Sequence, residues 1–119
     1  MSAPNLISAT TITGKTALSA LTTSTANIVT NSANSNTVLK INNIAVANYT
    51  ASQITANVLI NRSATTYQYG GNLAVPAYST LVVLAKDSQI YLEEGDVIQA
   101  NVSANTSATI TSSYEIISS

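Results

Sequence analysis

Residues 79–103 read STLVVLAKDSQIYLEEGDVIQANVS, and the spacing of apolar runs inside that stretch decides the fold. Residues 81–85, 90–92 and 97–102 are short and rich in Leu, Val and Ile. Lys86-Asp87-Ser88 and Glu93-Glu94-Gly95-Asp96 separate them. Short β-favouring runs divided by turn-formers are the pattern of consecutive strands in an all-β domain. Within the second separator, Gly95 is suited to positive φ and Asp96 to hydrogen bonds with nearby backbone amides.

The rest of the chain carries the same pattern. Residues 54–62 alternate most cleanly, with Ile54, Ala56, Val58 and Ile60 on one face and Thr55, Asn57, Leu59 and Asn61 on the other. Residues 37–48 are the most apolar long segment. Leu39 and Ile41 share one parity and Ile44 and Val46 the other, so a bulge or bend is expected at Asn42-Asn43. Residues 6–13 read as a strand turning at Gly14-Lys15, and residues 16–25 as a strand or irregular segment. Residues 26–31 read as a further strand. Residues 66–69 and 73–75 read as two short strands on either side of Gly70-Gly71-Asn72, the second stopped by Pro76 at an edge or turn. Residues 107–117 supply the last strand. The expectation is an all-β, antiparallel β-sandwich of eight or nine short strands, jelly-roll-like, with a small barrel as the neighbouring solution. It forms one domain over residues 6–119, with a short N-terminal arm over residues 1–5.

Composition agrees with this and narrows the function. The 119 residues include 16 Ser, 17 Thr and 13 Asn, while charged residues make up 8%. Hydroxyls and amides therefore do the solvating work that charge does elsewhere. The net charge of −1 and the scattering of Lys15, Lys40, Arg62 and Lys86 argue against a nucleic-acid partner, which needs clustered cations. The N-terminal MSAPNLIS lacks the basic and apolar regions of a signal peptide, and no stretch reaches the roughly 20 apolar residues of a membrane helix.

Candidate chemistry is thin. Histidine and cysteine are absent, which removes the usual general base and the commonest metal ligands. Serines and threonines abound, but no Ser-x-x-Lys spacing offers an activating amine. Asp87, Glu93, Glu94 and Asp96 could be drawn as a calcium site; the turn reading accounts for them more simply. Gly70-Gly71 precedes neither a helix nor a Lys-Ser/Thr pair, so it is not a phosphate loop. No enzyme activity, cofactor or metal is expected. Tyr67 and Tyr69 share a strand parity and are interface candidates. Tyr91 and Tyr114 are expected at core edges.

The segments VLKINNIAVAN (38–48), VLINRS (58–63), LAVPAYSTLVVLAKDSQIYLEEGDVIQANVSA (73–104) and TSSYEIIS (111–118) together resemble a family of small virion structural proteins of tailed bacteriophages. That family is common in T4-like and related phages of marine cyanobacteria. The resemblance runs from about residue 26 to the end, and its closing SYEII departs by one residue from the family's SYEEI-like close. It implies a β-sandwich subunit of a virion, serving as a capsid decoration or cement subunit or as a neck or tail component. Such a subunit would contact other virion proteins and itself, as a homo-oligomer such as a trimer. The alternative is a carbohydrate- or receptor-binding head of a phage fibre, with Tyr67, Tyr69 and Tyr78 on the ligand.

Overall fold

The computed structural model of the protein describes residues 11–84 and 90–118. Nine strands run through them: β1 (Thr11–Leu21), β2 (Ala26–Thr30), β3 (Thr37–Asn48), β4 (Ile54–Arg62), β5 (Thr65–Val75), β6 (Thr80–Leu84), β7 (Ile90–Leu92), β8 (Val97–Val102) and β9 (Ala108–Ser118). One sheet has the order β1-β9-β3-β6, with β7 also pairing β3; the other has the order β2-β8-β4-β5. Every pairing is antiparallel. β6 pairs with the second half of β3 and β7 with the first half, so both lie along one edge. Counted as one strand, they give the order 1-8-3-6 facing 2-7-4-5, the two interlocked Greek keys of a jelly roll. The expected sandwich is the observed one.

The core lies between the sheets and follows strand parity. Leu39, Ile41, Ile44, Val46, Leu84, Leu92, Ala108 and Ile110 face inward from the larger sheet. Val29, Ile54, Ala56, Val58, Val75, Ile98, Ala100 and Val102 face them from the smaller one. The parity change in β3 is a real bulge: its pairing with β9 shifts between Ile41 and Asn43, which returns Ile44 and Val46 to the interior. Full burial of each such side chain stabilises by about 1.5–3 kcal/mol; without the shift, both would point to solvent.

Three boundaries differ from the sequence reading. Gly14-Lys15 is not a turn. β1 runs straight through it, in register with β9 from Thr11↔Ser118 to Leu21↔Ala108, because β9 offers an unbroken eleven-residue partner. Residues 1–10, and with them the expected arm and most of the first expected strand, lie outside the described residues, as does Lys86-Asp87-Ser88. Gly70-Gly71-Asn72 is also not a turn: β5 is one strand carrying two bulges opposite β4. Gln68 and Gly70 pair with Leu59 and Val58, leaving Tyr69 as the extra residue, and a second shift lies between Gly70 and Leu73. Asn72 takes φ 50° there. A Cβ on Gly70 would sit 2.6 Å from Leu73 Cδ1, so the second bulge closes over a residue without a side chain. β5 ends at Val75 on the sheet's edge, as Pro76 requires.

A buried asparagine locks each end of the sandwich. Asn31 Nδ2 donates to the Thr37 and Leu92 carbonyls, and its Oδ1 accepts from the Ser35 and Thr37 hydroxyls. At the other end Asn48 Nδ2 donates to the Ser52, Val75 and Pro76 carbonyls, while Oδ1 accepts from the Thr50 amide and hydroxyl. Both amides are fully used, which is what lets them be buried without penalty.

Candidate functional site

Arg62, Glu93, Glu94 and Asp96 gather at the Asn31 end. Arg62 closes β4, and Ser63-Ala64 turn the chain into β5 as a two-residue hairpin with Arg62 opposite Thr65. Both turn residues have positive φ, 53° and 63°, the backbone of a type I′ turn built here without Asn or Gly. Beside this hairpin lies the β7–β8 turn. Arg62, Ser63 and Ala64 on one side and Glu93, Glu94, Gly95 and Asp96 on the other line a shallow cleft.

Arg62 and Asp96 form a forked pair, Nε to Oδ1 at 2.9 Å and Nη2 to Oδ2 at 2.6 Å. A third bond runs from Nη2 to Glu93 Oε2 at 3.1 Å. The two partners differ in environment: the Asp96 side chain is 1% exposed, that of Arg62 49%. The hydrogen bond to Asp96, then its charge, hold the guanidinium above its ordinary pKa; burial opposes this and Glu93 adds a smaller push. Asp96 Oδ2 also accepts the Glu93 amide at 2.9 Å, and Gly95 has φ 88°. The turn geometry read from the sequence is present.

The remaining turn residues are committed as well. Glu94 Oε2 accepts the Asn36 amide at 2.6 Å. The Gly95 amide donates to the Asn31 carbonyl, and the Asn31 amide donates to the Asp96 carbonyl. The carboxylates thus diverge onto Arg62 and a loop amide instead of converging on one point. Among the described residues, no group of three or more His, Cys, Asp and Glu is arranged to hold a metal; Asp87 lies outside them. The Arg62–Asp96 pair was not legible in the sequence. Thirty-four positions separate its members, and only the antiparallel placement of β4 beside β8 brings them together.

The tyrosines do not form one surface. Tyr67 lies opposite Ile60 and lines a cleft with Ile60 and Arg62. Tyr69, displaced by the bulge, lines a different cleft with Gly70, Leu73, Leu81, Val82 and Val83 between the edges of the two sheets. Tyr67 and Tyr69, expected on one strand face, are separated by a register shift and line different clefts. Tyr78 is 73% exposed in the turn at the Asn48 end, where its amide donates to the Thr50 carbonyl. Along β4, the six steps from Ile60 to Ile54 separate the Tyr67 and Tyr78 ends by about 20 Å at ~3.3 Å per residue. Tyr114 packs against the core as expected. Tyr91 does not: it is 41% exposed, because its neighbours Ile90 and Leu92 take the inward positions of a three-residue strand.

The outer face of the smaller sheet is tiled with neutral polar side chains. Asn57 Nδ2 donates to Asn101 Oδ1, Asn101 Nδ2 to Thr25 Oγ1, and Gln99 Nε2 to Asn27 Oδ1. The Asn72 amide donates to Asn57 Oδ1, and Asn61 Nδ2 to Thr66 Oγ1. These cross-strand bonds tie all four strands together on the wet side. No protein-family model matches the sequence, and no curated protein matches it.

Proposed function

We propose that the protein is a non-enzymatic structural subunit of a tailed-phage virion, either a capsid decoration or cement subunit or a neck or tail component. The observation that carries this reading is the surface. A face of cross-bonded amides and hydroxyls, with almost no charge, suits packing against other proteins through hydrogen bonds and apolar contact. The similarity of residues 73–104 and 111–118 to small phage virion proteins supports it. Jelly rolls also recur in viral capsid and lectin domains, an analogy at the level of fold alone. The site described above supports a structural role too, since its charged groups are spent on holding two loops together.

The test is to purify particles of the source phage and look for this chain by mass spectrometry and in a reconstruction. A fixed copy number in the particle is the expected result: hundreds of copies for a capsid role, six or twelve for neck or tail. Absence from purified particles overturns the proposal. The receptor-binding alternative requires Tyr67, Tyr69 and Tyr78 on one ligand, and their separation into different clefts and opposite ends counts against it.

A further inference from the structure

Among the described residues the sandwich has four strand edges, and three carry features that discourage another strand from adding. β5 has two bulges, β2 is five residues long with a bulge, and the β6/β7 edge is split between a bulged strand and a three-residue one. Bulges and short edges are the usual protection against sheet-to-sheet addition. β1 has neither. Its eleven residues keep one unbroken register with β9, contain no proline, and carry Lys15 as their one charge. Among the described residues no strand pairs with its other side. Residues 11–16 are exposed at every position, so this half of β1 projects beyond the cover of the smaller sheet. Ile12 and Leu18 are 61% and 70% exposed beside it.

We infer that β1 pairs antiparallel with β1 of a second copy of this chain, joining the two larger sheets across a two-fold axis. The same edge on both partners is the self-complementary arrangement a two-fold dimer requires. The charge pattern permits it. With Lys15 alone on the strand, two lysines meet only in a register centred on residue 15, and every other register places Lys15 against a neutral residue. Eleven residues at ~3.3 Å give an edge about 36 Å long. A contact strip about 10 Å high then buries roughly 700 Å² in total, below the ~1,200 Å² of a standard interface, so the pair belongs to the weak class. This inference stands on the edge geometry and does not depend on the virion reading.

The test is sedimentation velocity of the full chain from about 5 µM to 1 mM, with amide hydrogen exchange of β1 measured at both ends of that range. The expected result is a monomer–dimer equilibrium, with β1 amide protection rising with concentration. The double variant Thr16→Glu, Leu18→Glu, at exposed positions near the strand's middle, should weaken association at least ~10-fold by like-charge opposition. Val82→Glu, on the bulged β6 edge, should leave it unchanged. A chain that stays monomeric to 1 mM, a trimer in place of a dimer, or a dimer unaffected by the β1 variant overturns the inference. The exchange measurement on the unmodified chain decides the matter even if the double variant folds poorly.

Discussion

Arg62→Ala should cost far more than a surface ion pair would, and the structure sets the size. In the variant, the Asp96 carboxylate remains buried with a single donor, the Glu93 amide, in place of three. Breaking a buried pair from one side costs about 3–5 kcal/mol, and an exposed pair about 0.2–1. Arg62 is half exposed, which screens the interaction, so about 3 kcal/mol is the working figure. Asp96→Ala should cost less, about 1.5 kcal/mol, because the freed guanidinium can turn to water while the desolvation penalty of the carboxylate disappears. The double variant is the discriminating measurement. Removing Asp96 from Arg62→Ala should recover about 1 kcal/mol, a coupling of roughly 2–3 kcal/mol. Urea melts followed by far-ultraviolet circular dichroism give these values directly. Arg62→Ala should also lower Tm by about 10 °C, on a scale of ~3–5 °C per kcal/mol for a domain of this size.

Two conditions sharpen the result. Salt should change the cost little, since Asp96 is shielded from solvent, whereas the exposed Glu93 arm should be salt-sensitive. The pH dependence follows from the raised pKa of Arg62. A cation so shifted contributes its full stability below its unfolded pKa and loses it only as pH rises through the folded one, so the cost should be flat from neutral into mildly alkaline solution. A cost under ~0.5 kcal/mol, or strict additivity in the double variant, would refute the reasoning.

The other predictions concern backbone and buried polar groups. Ala64→Gly should stabilise by about 0.5–1 kcal/mol, because relief of a left-handed alanine exceeds the entropy cost of glycine; a lower Tm refutes it. Asn48→Asp, nearly identical in shape, should cost about 3 kcal/mol or more at neutral pH, since the new oxygen faces the Ser52, Val75 and Pro76 carbonyls. Thermal melts showing a loss under ~1 kcal/mol would mean that end can rearrange. Ser112 lies fully buried between Ala17 and Ile44, and its hydroxyl has no partner among the described residues. Ser112→Ala should be neutral or stabilising by up to about 1 kcal/mol in the same melts, and a clear loss would reveal a hidden partner.

What could be read in the sequence was whatever leaves a trace in local order. The alternation of residues 54–62, the parity change at Asn42-Asn43 and the positive φ of Gly95 all do so, since each is fixed within a few residues. The misreadings share one cause. Gly14-Lys15 and Gly70-Gly71-Asn72 have the composition of turns, yet whether such a segment turns or bulges depends on the strand opposite. β9 continues past the first and β4 past the second. The Arg62–Asp96 fork lay beyond reach for the same reason, as nothing within ten residues of either partner signals the other.

The structure accounts for every residue of the segment LEEGD, residues 92–96. Leu92 fills the core, Glu93 reaches Arg62, and Glu94 caps the Asn36 amide. Gly95 supplies the positive φ, and Asp96 anchors Arg62 from a buried position. All five residues of this segment are thus used in closing one end of the sandwich. The corresponding closure at the other end, by Asn48, involves no charged residue and leaves no comparable phrase. A contact surface is therefore to be sought where hydrogen-bonding groups and side chains are not consumed internally. Among the described residues the unbulged β1 edge meets that condition, with no strand on its outer side and with Ile12 and Leu18 exposed.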